Sequence, residues 1–93
     1  MNEFSLSGEI TNIKPLRYSP AGIPILEFSF KHESQQNESK YKKKVFLEVN
    51  CVVVGELSQL KLQTGDRRIC KGFLEKKSQK SNQIVFHITA IKI

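Results

Sequence analysis

Hydrophobic and polar residues alternate along five stretches of the chain, and a period of two residues is that of a β-strand with one buried face. Short polar segments, or segments rich in glycine and proline, separate these stretches. The sequence therefore predicts five strands, at residues 4–11, 25–33, 39–55, 67–74 and 84–91.

The second and fifth predicted strands differ in how many of their faces are apolar. One face of the second strand is apolar, and Leu26, Phe28 and Phe30 are predicted to point into the core. In the fifth strand both series of alternate residues are rather apolar, including Phe86 in one and Ile91 in the other. Two apolar faces predict burial on both sides, which favours a subunit interface along this strand.

The connections between the strands carry their own signals. Residues 14–24 contain three prolines and a glycine and are predicted to form a loop. Residues 34–39 are polar and predict a hairpin loop, and residues 56–63 have room for one or two helical turns. Gly8 and Gly72 lie inside strands, where they predict bends. Five strands with a short helical connection between the third and fourth predict an all-β OB-fold, which is a five-stranded Greek-key barrel.

The third strand places an aromatic ring on an otherwise charged face. Its alternation puts Lys42, Lys44 and Phe46 on one face. Tyr41 and Lys43 begin the opposite face, which becomes apolar further along the strand. Lysines can hold phosphates and an exposed ring can stack on a base, so the first face has the chemistry of a platform for single-stranded nucleic acid. Packing of Phe46 against a partner subunit or a covering loop is the alternative.

Composition and charge narrow the class of protein. The chain has 93 residues, which predicts a single domain over residues 1–93, and 39% apolar with 26% charged residues is typical of a globular fold. The net charge of +6 favours a polyanionic partner and salt-sensitive association. The sequence lacks a run of apolar residues long enough for a transmembrane helix and an amphipathic helix long enough to lie on a bilayer, so no membrane partner is expected.

The cysteines and the first residues bear on the cellular compartment. Cys51 and Cys70 lie in apolar strands without the spacing of a metal site, so we expect free core thiols in a reducing cytoplasm. The chain begins without a basic segment followed by an apolar one, so we expect no signal peptide. The expected location is the cytoplasm.

Three basic or turn-rich segments fall where OB-folds contact nucleic acid, namely the face of the second and third strands and two flanking loops. The loop after the first strand carries Lys14 and Arg17, and the loop after the fourth strand carries Lys76, Lys77 and Lys80. Agreement between composition and position favours nucleic-acid binding.

The chain also resembles the bacterial primosomal replication protein N (PriB) family over nearly its whole length. The most specific stretch is Pro-Leu-Arg-Tyr-Ser-Pro-Ala-Gly-Ile-Pro at residues 15–24, followed by Lys-His-Glu-Ser at residues 31–34. The resemblance implies a homodimer of OB-folds related to the single-stranded DNA-binding proteins. It also implies a cytoplasmic, nucleoid-associated protein that binds single-stranded DNA at replication forks and assists the primosomal helicase and other primosome proteins.

The resemblance further implies roles for individual residues. Phe46 matches an aromatic residue that stacks on a base, and Tyr41 matches a second aromatic at the start of the same strand. Lys43 matches a neighbouring basic position, and Arg17 follows the basic first loop of the family. Tryptophan can occupy the position of Phe46 in the family, so we expect a weaker stacking contribution from phenylalanine in this chain. The residues expected to bind single-stranded DNA are Arg17, Tyr41, Lys42, Lys43, Lys44, Phe46, Lys76, Lys77 and Lys80.

Two other functions fit the same residues. In a protein–protein adaptor, the basic face would dock an acidic helicase surface and nucleic-acid binding would be incidental. In an RNA-binding OB module, a contact to the 2′-hydroxyl would distinguish RNA from DNA. The sequence contains no carboxylate pair, Ser/His/Asp set, phosphate-binding loop or metal-ligand cluster, so we expect no enzyme, no cofactor and no metal. His32 and His87 are predicted to be structural.

Overall fold

The computed structural model describes residues 1–92, so Ile93, the last residue of the predicted domain, lies outside the described residues. Residues 1–92 form six β-strands, β1 (Phe4–Ile13), β2 (Arg17–Tyr18), β3 (Pro24–Glu38), β4 (Tyr41–Val54), β5 (Arg67–Lys76) and β6 (Ile84–Lys92). A short 3-10 helix, Glu56–Gln59, follows β4 as predicted. Strand β2 is a two-residue addition inside the predicted first loop. No helix within the described part of the chain is long and apolar enough to cross a membrane.

The five long strands close into a barrel. Strand β1 pairs with β5 through residues 4–9 and with β3 through residues 9–13, so it belongs to both sides of the barrel. Strand β4 pairs antiparallel with β3 and parallel with β6, and β6 pairs with β5 to complete the ring. This Greek-key order, with the short helix between β4 and β5, confirms the predicted OB-fold.

The barrel interior is filled by alternate residues of all five long strands. Leu26, Phe28 and Phe30 are buried as predicted. The rings of Phe4 and Phe86 pack edge to face with their centroids 5.2 Å apart. The other buried apolar residues are Leu6, Ile10, Cys51, Val52, Val53, Cys70 and Ile88.

Two glycines allow strands to approach closely. A Cβ atom at Gly8 would lie 2.5 Å from the backbone oxygen of Lys31 and 2.9 Å from the ring of Phe30. A Cβ atom at Gly72 would collide with the backbone oxygen of His87, where the register between β5 and β6 shifts. Gly72, where a bend was predicted, therefore lies opposite a bulge in β6, and Gly8 lies just before β1 exchanges one partner strand for the other.

The prediction of a loop at residues 34–39 is wrong for residues 34–38, which are part of a strand. Residues 34–38 continue β3, and the chain turns at Ser39 and Lys40, with Ser39 at φ 57°. Both faces of this part of the hairpin are largely exposed, so neither face needs apolar side chains. The sequence therefore lacks the alternation of apolar and polar residues that predicts a strand. Backbone pairing with β4 forms the strand instead.

The two apolar faces predicted for the last strand have a local cause. Ile88 pairs with Gly72 and Ala90 pairs with Lys71, which leaves Thr89 as an additional residue in β6. An additional residue reverses the alternation of the side chains that follow it. Ile91 therefore returns to the inward side and packs against the core. The bulge explains the apolar character of Ile91 without a subunit interface.

Candidate nucleic-acid interface

Strands β3 and β4 continue beyond the barrel as a two-stranded ribbon, which we define as residues 33–46. Glu33 pairs with Phe46 at its base, and Glu38 pairs with Tyr41 at its end. Residues 35–44 are all exposed, whereas Phe30 and Val49, further back in the same hairpin, pack in or against the core. From Glu33 to Glu38 the ribbon is about 17 Å long at the usual rise of a strand. It contributes to the elongated shape of the molecule, whose longest dimension is 51 Å.

The ribbon separates the predicted binding residues into two groups, because successive residues of a strand point to opposite faces. One face, called the Phe46 face, carries Lys42, Lys44, Phe46, Asn37, Gln35 and Glu33. The opposite face, called the Tyr41 face, carries Tyr41, Lys43, Val45, Glu38, Gln36 and Ser34. The structure thus brings three of the predicted residues together on the Phe46 face and puts Tyr41 and Lys43 on the other side.

The two aromatic rings of the ribbon are open to solvent. Phe46 is 62% exposed and Tyr41 is 75% exposed. No loop within residues 1–92 covers Phe46, which removes one of the alternatives raised by the sequence for this side chain. An exposed ring beside lysines on a sheet face can stack on an unpaired base.

Charge is distributed unevenly along the Phe46 face. At the base, Glu33 lies opposite Phe46, and Glu48 lies opposite Lys31. Further out, Lys42 and Lys44 lie opposite the neutral side chains of Asn37 and Gln35. Positive charge therefore increases towards the end of the ribbon. Lys31, which belongs to the same outward series, is absent from the predicted set.

A small groove of about 60 Å³ continues the Phe46 face towards the barrel loops. Its lining includes Lys14 from the first loop, Lys77 from the loop after β5, and the outward pair Ser29 and Asn50. The amide of Lys14 donates to the backbone oxygen of Glu27 at 2.9 Å, and the amide of Lys77 donates to that of Gln83 at 2.9 Å. These bonds hold both lysine backbones at the rim of the groove. Lys14 is absent from the predicted site residues, although its loop is one of the predicted flanking loops.

The remaining predicted residues are Arg17, Lys76 and Lys80. The guanidinium of Arg17 is 3.5 Å from the carboxylate of Glu27, a residue that also lines the groove. Lys76, predicted in the loop after the fourth strand, is the last residue of β5 and pairs with Ile84, and its Nζ donates to the backbone oxygen of Gln79 at 3.2 Å in the loop that follows. Lys80 is exposed in the same loop. All three cations are accessible at the surface, and exposed ion pairs such as that of Arg17 exchange partners at little cost.

Both histidines make structural contacts. The Nδ1 of His32 lies 2.6 Å from the backbone oxygen of Ser7, and its Nε2 lies 2.8 Å from the hydroxyl of Ser34. The ring of His87 stacks on Phe73 with the centroids 4.8 Å apart, and its Nε2 lies 3.1 Å from the carboxylate of Glu75. These contacts fix both rings within the barrel wall, which agrees with the predicted structural role.

The cysteines are buried free thiols, as predicted. Burial raises the pKa of Cys70 from the ordinary 9.0 to about 11, although the nearby charge of Arg68 acts in the opposite direction. Burial raises the pKa of Cys51 further, and proximity to Cys70 adds to this effect. Within residues 1–92 no cluster of His, Cys, Asp and Glu side chains could hold a metal ion.

Comparison with known proteins assigns the family. Residues 2–90 match a family described as another single-strand binding protein family. The chain is 32% identical over 94 residues to the replication restart protein PriB of Nitrosomonas europaea, covering 99% of this chain and 87% of that protein. It is 37% identical over 92 residues to the PriB of Neisseria gonorrhoeae, covering 98% of this chain and 92% of that protein.

Solved structures support the same assignment at the level of the fold. The PriB structure from Ralstonia solanacearum matches with a TM-score of 0.88 at 24% identity, covering 99% of this chain and 96% of that one. The single-stranded DNA binding protein of Thermus aquaticus matches with a TM-score of 0.79 at 21% identity, covering 99% of this chain and 49% of that one. The chain therefore belongs to the replication restart protein PriB family, within the single-strand binding proteins, which confirms the resemblance seen in its sequence.

Proposed function

We propose that this protein binds single-stranded DNA in replication restart, through the Phe46 face and the groove between Lys14 and Lys77. The observation that carries the proposal is Phe46, 62% exposed, with Lys44 next to it on the same face of β4 and Lys42 further out. A base can stack on this ring while lysines contact the neighbouring phosphates. Family membership supports DNA as the ligand, because the relatives are named replication restart proteins.

Binding of this kind has little sequence preference, because stacking accepts any base and lysines respond to charge. In this proposal the protein is not an enzyme and requires no cofactor or metal. Its role is to hold the exposed strand in an extended form beside the primosomal helicase and to stimulate that helicase.

The adaptor function remains a second candidate, and the position of Tyr41 favours it. A strand held on the Phe46 face does not reach Tyr41 and Lys43 unless it wraps around the ribbon. Leu47, which follows the Tyr41 face on the same side of β4, is also 37% accessible, and an exposed apolar side chain there is typical of a protein contact. In this second proposal the Tyr41 face contacts an acidic surface of the helicase.

A homodimer is the third part of the proposal. Residues 4–8 of β1 are paired with β5 on one edge, and within residues 1–92 no strand pairs with their other edge. An unpaired edge can pair with the same segment of a second copy. Sedimentation equilibrium is expected to give twice the 10.7 kDa mass of one chain. A monomer mass at all concentrations would contradict this arrangement.

Fluorescence anisotropy with a labelled oligo-dT tests the main proposal. The protein is expected to bind oligo-dT more tightly than a blunt duplex of equal length, with affinity falling as salt rises. Tighter binding to an RNA oligomer of equal length would instead support the RNA-binding module, because a contact to the 2′-hydroxyl favours RNA. Absence of oligo-dT binding, with helicase binding retained in a pull-down, would make the adaptor the main function.

A further inference from the structure

The outer part of the ribbon differs in chemistry from its base. We define the ribbon tip as residues 35–44. On the Phe46 face the tip carries two directly opposed pairs, Gln35 with Lys44 and Asn37 with Lys42, and all four side chains are exposed. The acidic residues of this part of the hairpin lie elsewhere, because Glu38 is on the Tyr41 face and Glu33 is at the base.

This composition suits hydrogen bonding to base edges better than stacking. The aromatic ring of this face, Phe46, lies at the base of the ribbon rather than at the tip. Glutamine and asparagine amides each carry donors and an acceptor, which is the combination that binds the major-groove edge of adenine. The two lysines opposite them can reach guanine edges or phosphates.

The dimensions of the tip also match a groove of duplex DNA. The major groove of B-DNA is about 12 Å wide and 8.5 Å deep, and it admits a two-stranded β-ribbon. Strands in a ribbon lie about 4.8 Å apart, and residues two apart on one strand are separated by about 7 Å. The four side chains therefore cover the length of about two base pairs.

We propose that the ribbon tip enters the major groove of duplex DNA directly beside the single strand held by Phe46. The ligand is then a duplex with a single-stranded tail rather than a single strand alone. This inference rests on the proposed function, because Phe46 holds the unpaired bases at the junction. Phe46 lies about 13 Å along β4 from Lys42, so the tip reaches the first base pairs while the ring contacts the tail.

The shape of RNA provides a sharp test of this geometry. The major groove of an A-form helix is deep and narrow, and side chains cannot read it. A tail joined to a DNA duplex should therefore bind more tightly than the tail alone, whereas the same tail joined to an RNA duplex should not. A purely electrostatic contact would respond to both duplexes.

The experiment is an anisotropy titration with three ligands that share one labelled dT tail of about 12 nucleotides, within the range of OB-fold site sizes. The tail is used alone, joined to a DNA duplex of about 10 base pairs, and joined to an RNA duplex of the same length, which is about one helical turn. The DNA duplex is expected to tighten binding about tenfold, within the range of one bidentate base contact. The RNA duplex is expected to change it by less than about twofold.

Two single variants form a matched pair, because they change neighbouring exposed glutamines on opposite faces. Gln35→Ala should reduce the gain from the DNA duplex to about twofold, whereas Gln36→Ala should leave it at about tenfold. The gain in each variant is measured against binding of the tail alone by the same variant, and Gln36→Ala should bind the tail alone as tightly as the unmodified protein. Asn37→Ala should resemble Gln35→Ala, because the two residues share the face.

The outcomes separate this inference from the proposed function. Normal binding to the tail, with no additional gain from the DNA duplex, would overturn the inference and leave the proposed function intact. An equal gain from both duplexes, or a gain that persists in Gln35→Ala and Asn37→Ala, would also overturn it. Failure to bind any of the three ligands would overturn the proposed function and the inference together.

Discussion

Replacement of Phe46 by alanine tests the stacking contact directly. The ring is 62% exposed, so its loss removes a ligand surface while leaving the packed core unchanged. A phenylalanine presents about 150–250 Å² in total, of which roughly 90–155 Å² is therefore accessible in this protein. A base that stacks on one side of the ring covers roughly half of that area.

The covered area sets the expected loss of affinity. At about 25 cal/mol per Å², it corresponds to about 1.2–1.9 kcal/mol, in the lower part of the range for stacking on proteins. The dissociation constant for oligo-dT should therefore rise about 7- to 23-fold in Phe46→Ala. Phe46→Trp should lower it, because the larger ring covers more of the base.

The assay is anisotropy of labelled oligo-dT at fixed salt, with urea unfolding as a check on the fold. Phe73→Ala is the matched control, because Phe73 is another exposed phenylalanine, 37% accessible, on β5 and outside the Phe46 face. It should bind oligo-dT normally. An affinity of Phe46→Ala within about twofold of the unmodified protein would refute stacking at this position.

Four further predictions concern charge, packing, thiol reactivity and the pH dependence of stability. Replacing Lys42 and Lys44 by glutamine should reduce the slope of log affinity for oligo-dT against log salt by about 1.4, because each phosphate contact to a single strand contributes about 0.7. An unchanged slope would show that these lysines do not contact phosphates. Gly72→Ala should lower the free energy of unfolding by about 1–3 kcal/mol, because the added Cβ collides with the backbone of β6. An unchanged midpoint of urea unfolding would contradict this packing. Cys51 and Cys70 should react with a thiol reagent at pH 8 only after unfolding. The pKa values of Cys51 and Cys70 are both raised, so between pH 9.0 and about 11 the unfolded chain loses two thiol protons that the native state keeps. Each of these protons should lower the stability by about 1.4 kcal/mol per pH unit, and a flat pH profile would contradict this.

The order of strands was predictable because burial of one face leaves a visible pattern. Leu26, Phe28 and Phe30 alternate with polar residues, and all three are buried in the barrel. The position of the short helix and of the interior glycines then restricted the arrangement to an OB-fold. The bulge that turns Ile91 inward was not predictable, because an additional residue in a strand changes the pairing without changing local composition.

The ribbon shows the limit of the same reasoning. Residues 34–38 are strand, but their side chains are polar on both faces, so the sequence carries no alternation there and resembles a loop. Their conformation depends on hydrogen bonds to β4, which the composition of β3 does not reveal. The length of the ribbon, and with it the separation between its tip and Phe46, came from the tertiary structure.

The amino-acid sequence by itself determined which side chains share a face of a strand. Lys42, Lys44 and Phe46 lie together because a strand repeats every two residues, whatever it pairs with. The tertiary structure alone decided that Lys14 and Lys77, which are far apart in the chain, line one groove. Their proximity depends on closure of the barrel through β1 and β6, because closure brings distant loops to the same end of the β3–β4 face.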